Sequence, residues 1–211
     1  MAEHVFDRLV VASGNAGKLR EFERLLKPLG VKVHSQSEFG VEPAEEPYET
    51  FLENALTKAR HASAKTGLPA LADDSGICVP ALKGDPGVRS ARYAESLAGQ
   101  SQDKLNNQKL ISALAGSSDR QAYYVAVLVM VMHEHDPLPI IAQGLWFGEV
   151  IDEPRGQNGF GYDPHFWLPT LNATAAELSP DQKNATSHRG QAMRSLIEQI
   201  KQRGLVTVPN A

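Results

Sequence analysis

Apolar and polar positions along this chain switch repeatedly between two periods, and each switch marks an element. Residues 8–12 (RLVVA) are a short apolar run that predicts a buried strand. Over residues 19–30 the period becomes helical: Leu19, Phe22, Leu25, Leu26 and Leu29 share one face, and Arg20, Glu21, Glu23, Arg24 and Lys27 fill the other. Residues 31–35 (VKVHS) read as a second strand. A second helix is predicted over 50–65, with Phe51, Leu52, Ala55, Leu56, Ala59 and Ala62 inward and Gly67 and Pro69 ending it. A third strand leads through LPALA into Asp73 and Asp74, and Ser75-Gly76 predicts a turn that leaves both acids at the strand's end. Further on, 104–114 read as a helix, 123–132 as a central strand and 140–150 as another strand. Glycines 156, 159 and 161 mark a turn rich in aromatic residues. Ser179-Pro180 opens a turn or helix, and Gln191–Lys201 carries Met193, Leu196, Ile197 and Ile200 as the stripe of a terminal helix, with SHRG just before it. Residues 205–211 read as a short tail. Strands alternating with helices predict an α/β fold.

Composition narrows the class. At 211 residues and 42% hydrophobic content the chain suits one large domain or two interleaved lobes around a substantial core. The formal charge of −4 offers no basic footprint for a nucleic-acid polymer, although local cations and backbone amides suffice for a small anion. Cys78 is the single cysteine, which excludes an internal disulfide and a multi-cysteine metal site and suits a reducing compartment. The opening MAEHVFDRLV lacks the basic leader and apolar segment of a signal peptide, so an unprocessed, cytoplasmic protein is expected. The most apolar run, 123–132, is about half the ~20 residues a membrane helix needs.

Three stretches carry candidate chemistry. Ser13-Gly14-Asn15-Ala16-Gly17-Lys18 joins the first strand to the first helix, where unpaired amides, the positive end of the helix dipole and the Lys18 charge suit a phosphate. It is not a P-loop, which needs four residues between its glycines and Ser or Thr after the lysine. A strand-to-helix connection without a ligand is the competing reading. Asp73 and Asp74 suit magnesium, which favours one or two carboxylates and keeps waters for a phosphorylated substrate. The acidic loop residues Glu42, Glu45 and Glu46 read as solvated charge or as a further metal contact. In the third stretch, Phe160-Gly161-Tyr162-Asp163 lets backbone approach a planar ring, while Lys183, His188 and Arg189 gather donors. A core-packing hairpin and exposed charge are the alternatives there. Arg89 and Arg92 suit either phosphate or a surface ion pair, and the His133/His135 pair lies in a proline-containing loop.

SGNAGK, FLENALTKA, LADDSGICVPAL, PGVRSARYA, GFGYDP and AELSPDQKNATSHRGQA occur together in this order. With them the chain resembles the inosine triphosphate pyrophosphatase family over nearly its whole length, close to the bacterial dITP/XTP pyrophosphatase branch. The resemblance implies a single domain over 1–211, with a twisted mixed β-sheet flanked by helices in two interleaved lobes and an active cleft between them. It also implies Mg2+, cleavage of a nucleoside triphosphate between the α and β phosphates, and a homodimer. Carried over by position, Asp74 looks like the proton acceptor and a metal-associated carboxylate, with Ser75 contacting substrate beside it. Ser13 to Lys18 looks like the triphosphate-binding segment and Glu45 the acidic-loop metal position, with Glu53 and Asp73 as neighbours. Phe160 to Asp163 looks like the base-side segment, joined by Lys183, His188 and Arg189. Ser13 stands where the family frequently has Thr, and Thr186 where an aliphatic residue is frequent. The different class that remains is a non-catalytic nucleotide sensor, which would have no need of Asp73, Asp74 and Glu45 together.

Overall fold

A computed structural model describes residues 6–206. Residues 207–211, most of the expected tail, and residues 1–5 lie outside the described residues. The described strands form a seven-stranded sheet in the order β2-β1-β3-β4-β5-β6-β7. These are β1 Arg8–Val11, β2 Lys32–Ser35, β3 Ala70–Cys78, β4 Gln121–Val131, β5 Ile140–Val150, β6 Phe166–Leu168 and β7 Ala173–Thr174. β1 runs parallel to both β2 and β3, whereas β6 is antiparallel to β5 and to β7, so the sheet is mixed. The helices are α1 Ala16–Leu26, α2 Phe51–Thr66, α3 Gln102–Ala113, α4 Pro180–Thr186 and α5 His188–Gln202. The α/β architecture with its central β4 agrees with the periodicity.

Contacts divide the chain into two compact units, each assembled from discontinuous segments: Met1–Asp74, Val127–Gln143 and Ala192–Ala211 in one, Ser75–Ala126 and Gly144–Gln191 in the other. In the first unit Leu9, Val10, Val11, Phe22, Leu26 and Leu71 are buried, with Ala55, Ala59 and Ala62 of α2. Helix α2 packs on β1, and small residues on its inner face allow that close approach. In the second unit Ile77, Val79, Leu110, Leu114, Tyr124, Trp146, Tyr162, Phe166 and Leu168 form one apolar cluster.

Three expectations from the sequence change, and one of the alternatives is not met. The DDSG segment is not a turn: β3 continues through it to Cys78, and Asp73 and Asp74 lie inside a buried strand. Gly76 serves packing instead, because a Cβ there would lie 2.4 Å from the Gly87 carbonyl oxygen and from Ser90 Oγ. Of the SHRG segment, His188, Arg189 and Gly190 do not precede the last helix but form its first turn, since α5 begins at His188 and Ser187 lies just before it. Leu52, expected inward, is exposed, and Asn54 is fully buried in its place. The aromatic stretch forms no hairpin of its own. It is a loop leading into the short strands β6 and β7, which are too brief for period-2 alternation to register.

Candidate active site

Helix α2 brings a lysine to the middle of β3. Lys58 Nζ donates to Asp74 Oδ1 at 2.9 Å, to Glu46 Oε1 at 2.8 Å and to the Asp73 carbonyl at 3.0 Å. The acidic loop is held toward it by Asn54, whose side chain accepts from Tyr48 N–H at 3.1 Å and donates to the Tyr48 carbonyl at 3.0 Å. Asp73, adjacent to Asp74 but pointing from the opposite side of the strand, pairs with Lys18 Nζ at 3.0 Å. The two lysines therefore serve the two acids separately.

Burial governs the charges of this cluster. It raises the Asp74 carboxyl above its ordinary range, and the Lys58 ammonium only partly offsets that, since Glu46 and Asp73 also push upward. For Lys58 the largest influence, burial, favours the neutral amine, but Asp74 and Glu46 together outweigh it and the net shift is upward. The second oxygen, Asp74 Oδ2, is buried and has no hydrogen-bond partner among the described residues. An unpaired carboxylate oxygen beside a fixed cation is an acceptor site for a proton, a water or a hard cation.

The glycine loop after β1 is more self-contained than its sequence suggests. Asn15 caps α1, accepting from Gly17 N–H at 2.9 Å and Lys18 N–H at 3.1 Å, and Asn15 N–H donates to Ser13 Oγ at 3.1 Å. Gly14 is exposed. Of the acidic-loop residues, Glu46 is the one that reaches the lysine, whereas Glu45 is exposed. Glu53 accepts a 2.6 Å hydrogen bond from Thr50 Oγ1 at the start of α2. Arg89 pairs with Asp85 at 2.9 Å, an exposed i,i+4 contact.

The second unit gathers the remaining predicted residues. Arg189 donates to Ser75 Oγ at 3.1 Å, and both Arg189 and His188 are buried. The His188 ring stacks on Tyr124 with centroids 4.7 Å apart and planes 6° from parallel. Asp163 organises the aromatic loop: its Oδ2 accepts from Phe160 N–H at 3.0 Å and pairs with the Lys183 ammonium, while Oδ1 accepts from the Tyr124 hydroxyl at 3.4 Å. Burial and the Asp163 charge push the Tyr124 phenol well above its ordinary range, so it stays a protonated donor. Phe160 itself is 52% exposed, with Lys183 Nζ 5.1 Å from its ring centroid. Tyr162 turns inward, donating to the Ser90 carbonyl at 2.8 Å.

The model of the Ham1 family matches residues 9–199. The chain belongs to the Ham1 family. Among relatives of this Ham1 chain, the dITP/XTP pyrophosphatase of Ralstonia nicotianae is 62% identical over 194 residues, spanning 92% of this chain and 96% of the relative. The dITP/XTP pyrophosphatase of Nitrosomonas europaea is 58% identical over 202 residues, 96% of this chain and 98% of that protein. A HAM1 protein from Coxiella burnetii has a solved structure that superposes with a TM-score of 0.87 at 49% identity, covering 92% of this chain and 98% of its own.

Within this Ham1 chain, sequence reasoning overlooked Lys58 and Tyr124, and it named Glu46 only as one of three acidic-loop candidates. Lys58 and Asn54 are one helical turn apart on the edge of the alanine stripe, and two polar residues at inward positions are the signal that was present. Choosing Glu46 over Glu45 needs the loop's path, which adjacent identical residues do not disclose.

Proposed function

We propose that this chain hydrolyses dITP, ITP and XTP, purine triphosphates foreign to the normal nucleotide pool, between the α and β phosphates to give the monophosphate and pyrophosphate. The observation that carries the reading is Asp74: a buried carboxylate with one oxygen held by Lys58 and the other unpartnered, in a family whose close relatives bear the name dITP/XTP pyrophosphatase. Asp74 accepts the proton of the attacking water through Oδ2, and its raised pKa strengthens it as a base. Lys58 keeps the carboxylate oriented, and the Lys18 ammonium, set by Asp73, binds charge on the polyphosphate.

Magnesium fits this donor set. Among the described residues no group of three or more His, Cys, Asp or Glu side chains is arranged to cage a metal. Magnesium asks for less, one or two carboxylates with waters and substrate phosphates completing its shell. Asp74 and an acidic-loop glutamate, Glu45 by resemblance or Glu46 by position, are the carboxylates that would hold it, and it would offset the polyphosphate charge. On the base side, Phe160 stacks on the purine and His188 supplies a donor for its 6-oxo group, with Lys183 and Arg189 nearby in the same unit. The protein works as a cytoplasmic homodimer in this reading, and a monomeric mass by light scattering would contradict the dimer. No helix among the described residues is long and apolar enough to cross a membrane.

Pyrophosphate release from ITP, XTP, dITP, GTP, ATP and dTTP, with and without magnesium, tests the proposal. Fast magnesium-dependent release from the first three alone is the expected result, and Asp74→Asn should lose about 10²-fold or more in kcat while staying folded. Binding without release would make the chain a nucleotide sensor and overturn the hydrolase reading.

A further inference from the structure

Helix α3 makes a pair of contacts that the mechanism leaves unused. Asp103 and Asn107, one helical turn apart, close on the same residue of the aromatic loop. Gly161 N–H donates to Asp103 Oδ2 at 2.8 Å, and Asn107 Nδ2 donates to the Gly161 carbonyl at 2.8 Å. Asn107 Nδ2 also donates to the Asp103 carbonyl at 2.8 Å, which locks the buried side chain against its own helix.

The consequence falls on Phe160. The Cα of a residue is oriented by its two flanking peptide planes, and here both are pinned. The preceding plane is held where Phe160 N–H donates to Asp163, and the following plane where Gly161 N–H donates to Asp103. Gly159 and Gly161 on either side have φ of +78° and +64°, a region that side chains disfavour, so the loop needs glycine there and needs external bonds to choose this conformation. A ring so exposed gains nothing for the core from being held in this way. A pre-set ring does help to bind a flat ligand, because its ordering cost is met before binding.

We propose that Asp103 and Asn107 are positioning residues that fix Phe160 for stacking on the purine base and thereby contribute to base selectivity. The inference rests on the reading of Phe160–Asp163 as the base-side segment of a nucleotide pyrophosphatase. Neither residue touches the substrate.

Steady-state kinetics with ITP and ATP test it. Asn107→Asp keeps shape but replaces the donor by a carboxylate facing the Gly161 carbonyl, and Asp103→Ala removes the acceptor from an exposed position that the fold tolerates. Each should raise KM for ITP about ten-fold with kcat within about two-fold, and shrink the ITP-to-ATP preference by a similar factor, the scale of one lost hydrogen bond. Asp103→Asn retains an acceptor oxygen and should restore KM to within about two-fold of wild type. In a Phe160→Ala background, Asn107→Asp should change KM less than about two-fold, because there is no ring left to position. A ten-fold effect that persists without Phe160, or falls on kcat alone, would overturn the positioning role. Wild-type hydrolysis of ITP with clamp variants indistinguishable from it would overturn the clamp alone, whereas no hydrolysis by the wild type would overturn the pyrophosphatase reading and the clamp with it.

Discussion

Replacing Lys58 by Met tests whether one ammonium holds the carboxylate cluster together. The side chain of Lys58 is 12% exposed, and those of its partners Asp74 and Glu46 are 11% and 28% exposed. Removing one member of a buried charge pair costs roughly 3–5 kcal/mol, because the other is left uncompensated. Two features reduce the figure here: Glu46 keeps some contact with water, and Asp74 can take up a proton. A loss of about 2–4 kcal/mol is therefore expected at neutral pH, which for a chain of this size lowers Tm by roughly 5–15 °C. The sign of the pH dependence follows from Asp74. Its carboxyl is already raised by burial, and Lys58 is what pulls it back down, so Lys58→Met raises it further. A carboxyl whose folded pKa lies above the unfolded value is fully tolerated in acid, and its contribution is lost as pH rises through the folded pKa. The deficit of Lys58→Met should accordingly be small near pH 4.5 and grow toward pH 7.5, as read by urea denaturation of both proteins. Adding Asp74→Asn should recover at least about half of the loss at pH 7.5, since it removes the uncompensated charge at residue 74 and leaves only the partly hydrated Glu46 without its lysine. A deficit below about 0.5 kcal/mol, or one equal at both pH values and unrelieved by Asp74→Asn, would refute the reasoning.

Two further predictions concern neighbouring positions. Gly76→Ala places a methyl group 2.4 Å from a backbone oxygen and from the Ser90 hydroxyl, so it should destabilise by more than about 2 kcal/mol and lower the urea midpoint; an unchanged midpoint would show that β3 can shift away from residues 87–90. The variants Glu45→Gln and Glu46→Gln separate the two acidic-loop candidates. Glu46→Gln should raise the magnesium concentration for half-maximal rate about ten-fold and Glu45→Gln less than about two-fold, and the reverse order would return the role to Glu45.

Much of the fold was legible in the order of residues because its cues are local. The strands at 8–12, 31–35 and 140–150 and the helices at 19–30 and 50–65 announce themselves through period, cap and breaker within a few residues. Asp73-Asp74 stood out in the same way, since two acids after an apolar lead-in are unusual composition for a strand. DDSG was misread because Asp, Ser and Gly favour turns when judged by neighbours alone. What keeps it extended is distant: pairing of the strand within the sheet, and the Gly87 carbonyl and Ser90 hydroxyl that occupy the space beside Gly76.

What the sequence by itself determined is the element order, the class of fold and the residue types available for chemistry, because these follow from short-range periodicity and from side-chain chemistry. Tertiary structure alone decided the partners. Lys58 is 16 residues from Asp74, Tyr124 is 39 from Asp163, and Asn107 is 54 from Gly161. Each of these bonds depends on how α2, α3 and β4 pack, and a hydrogen bond that requires two elements to meet within 3–4 Å leaves no local trace in the order of residues.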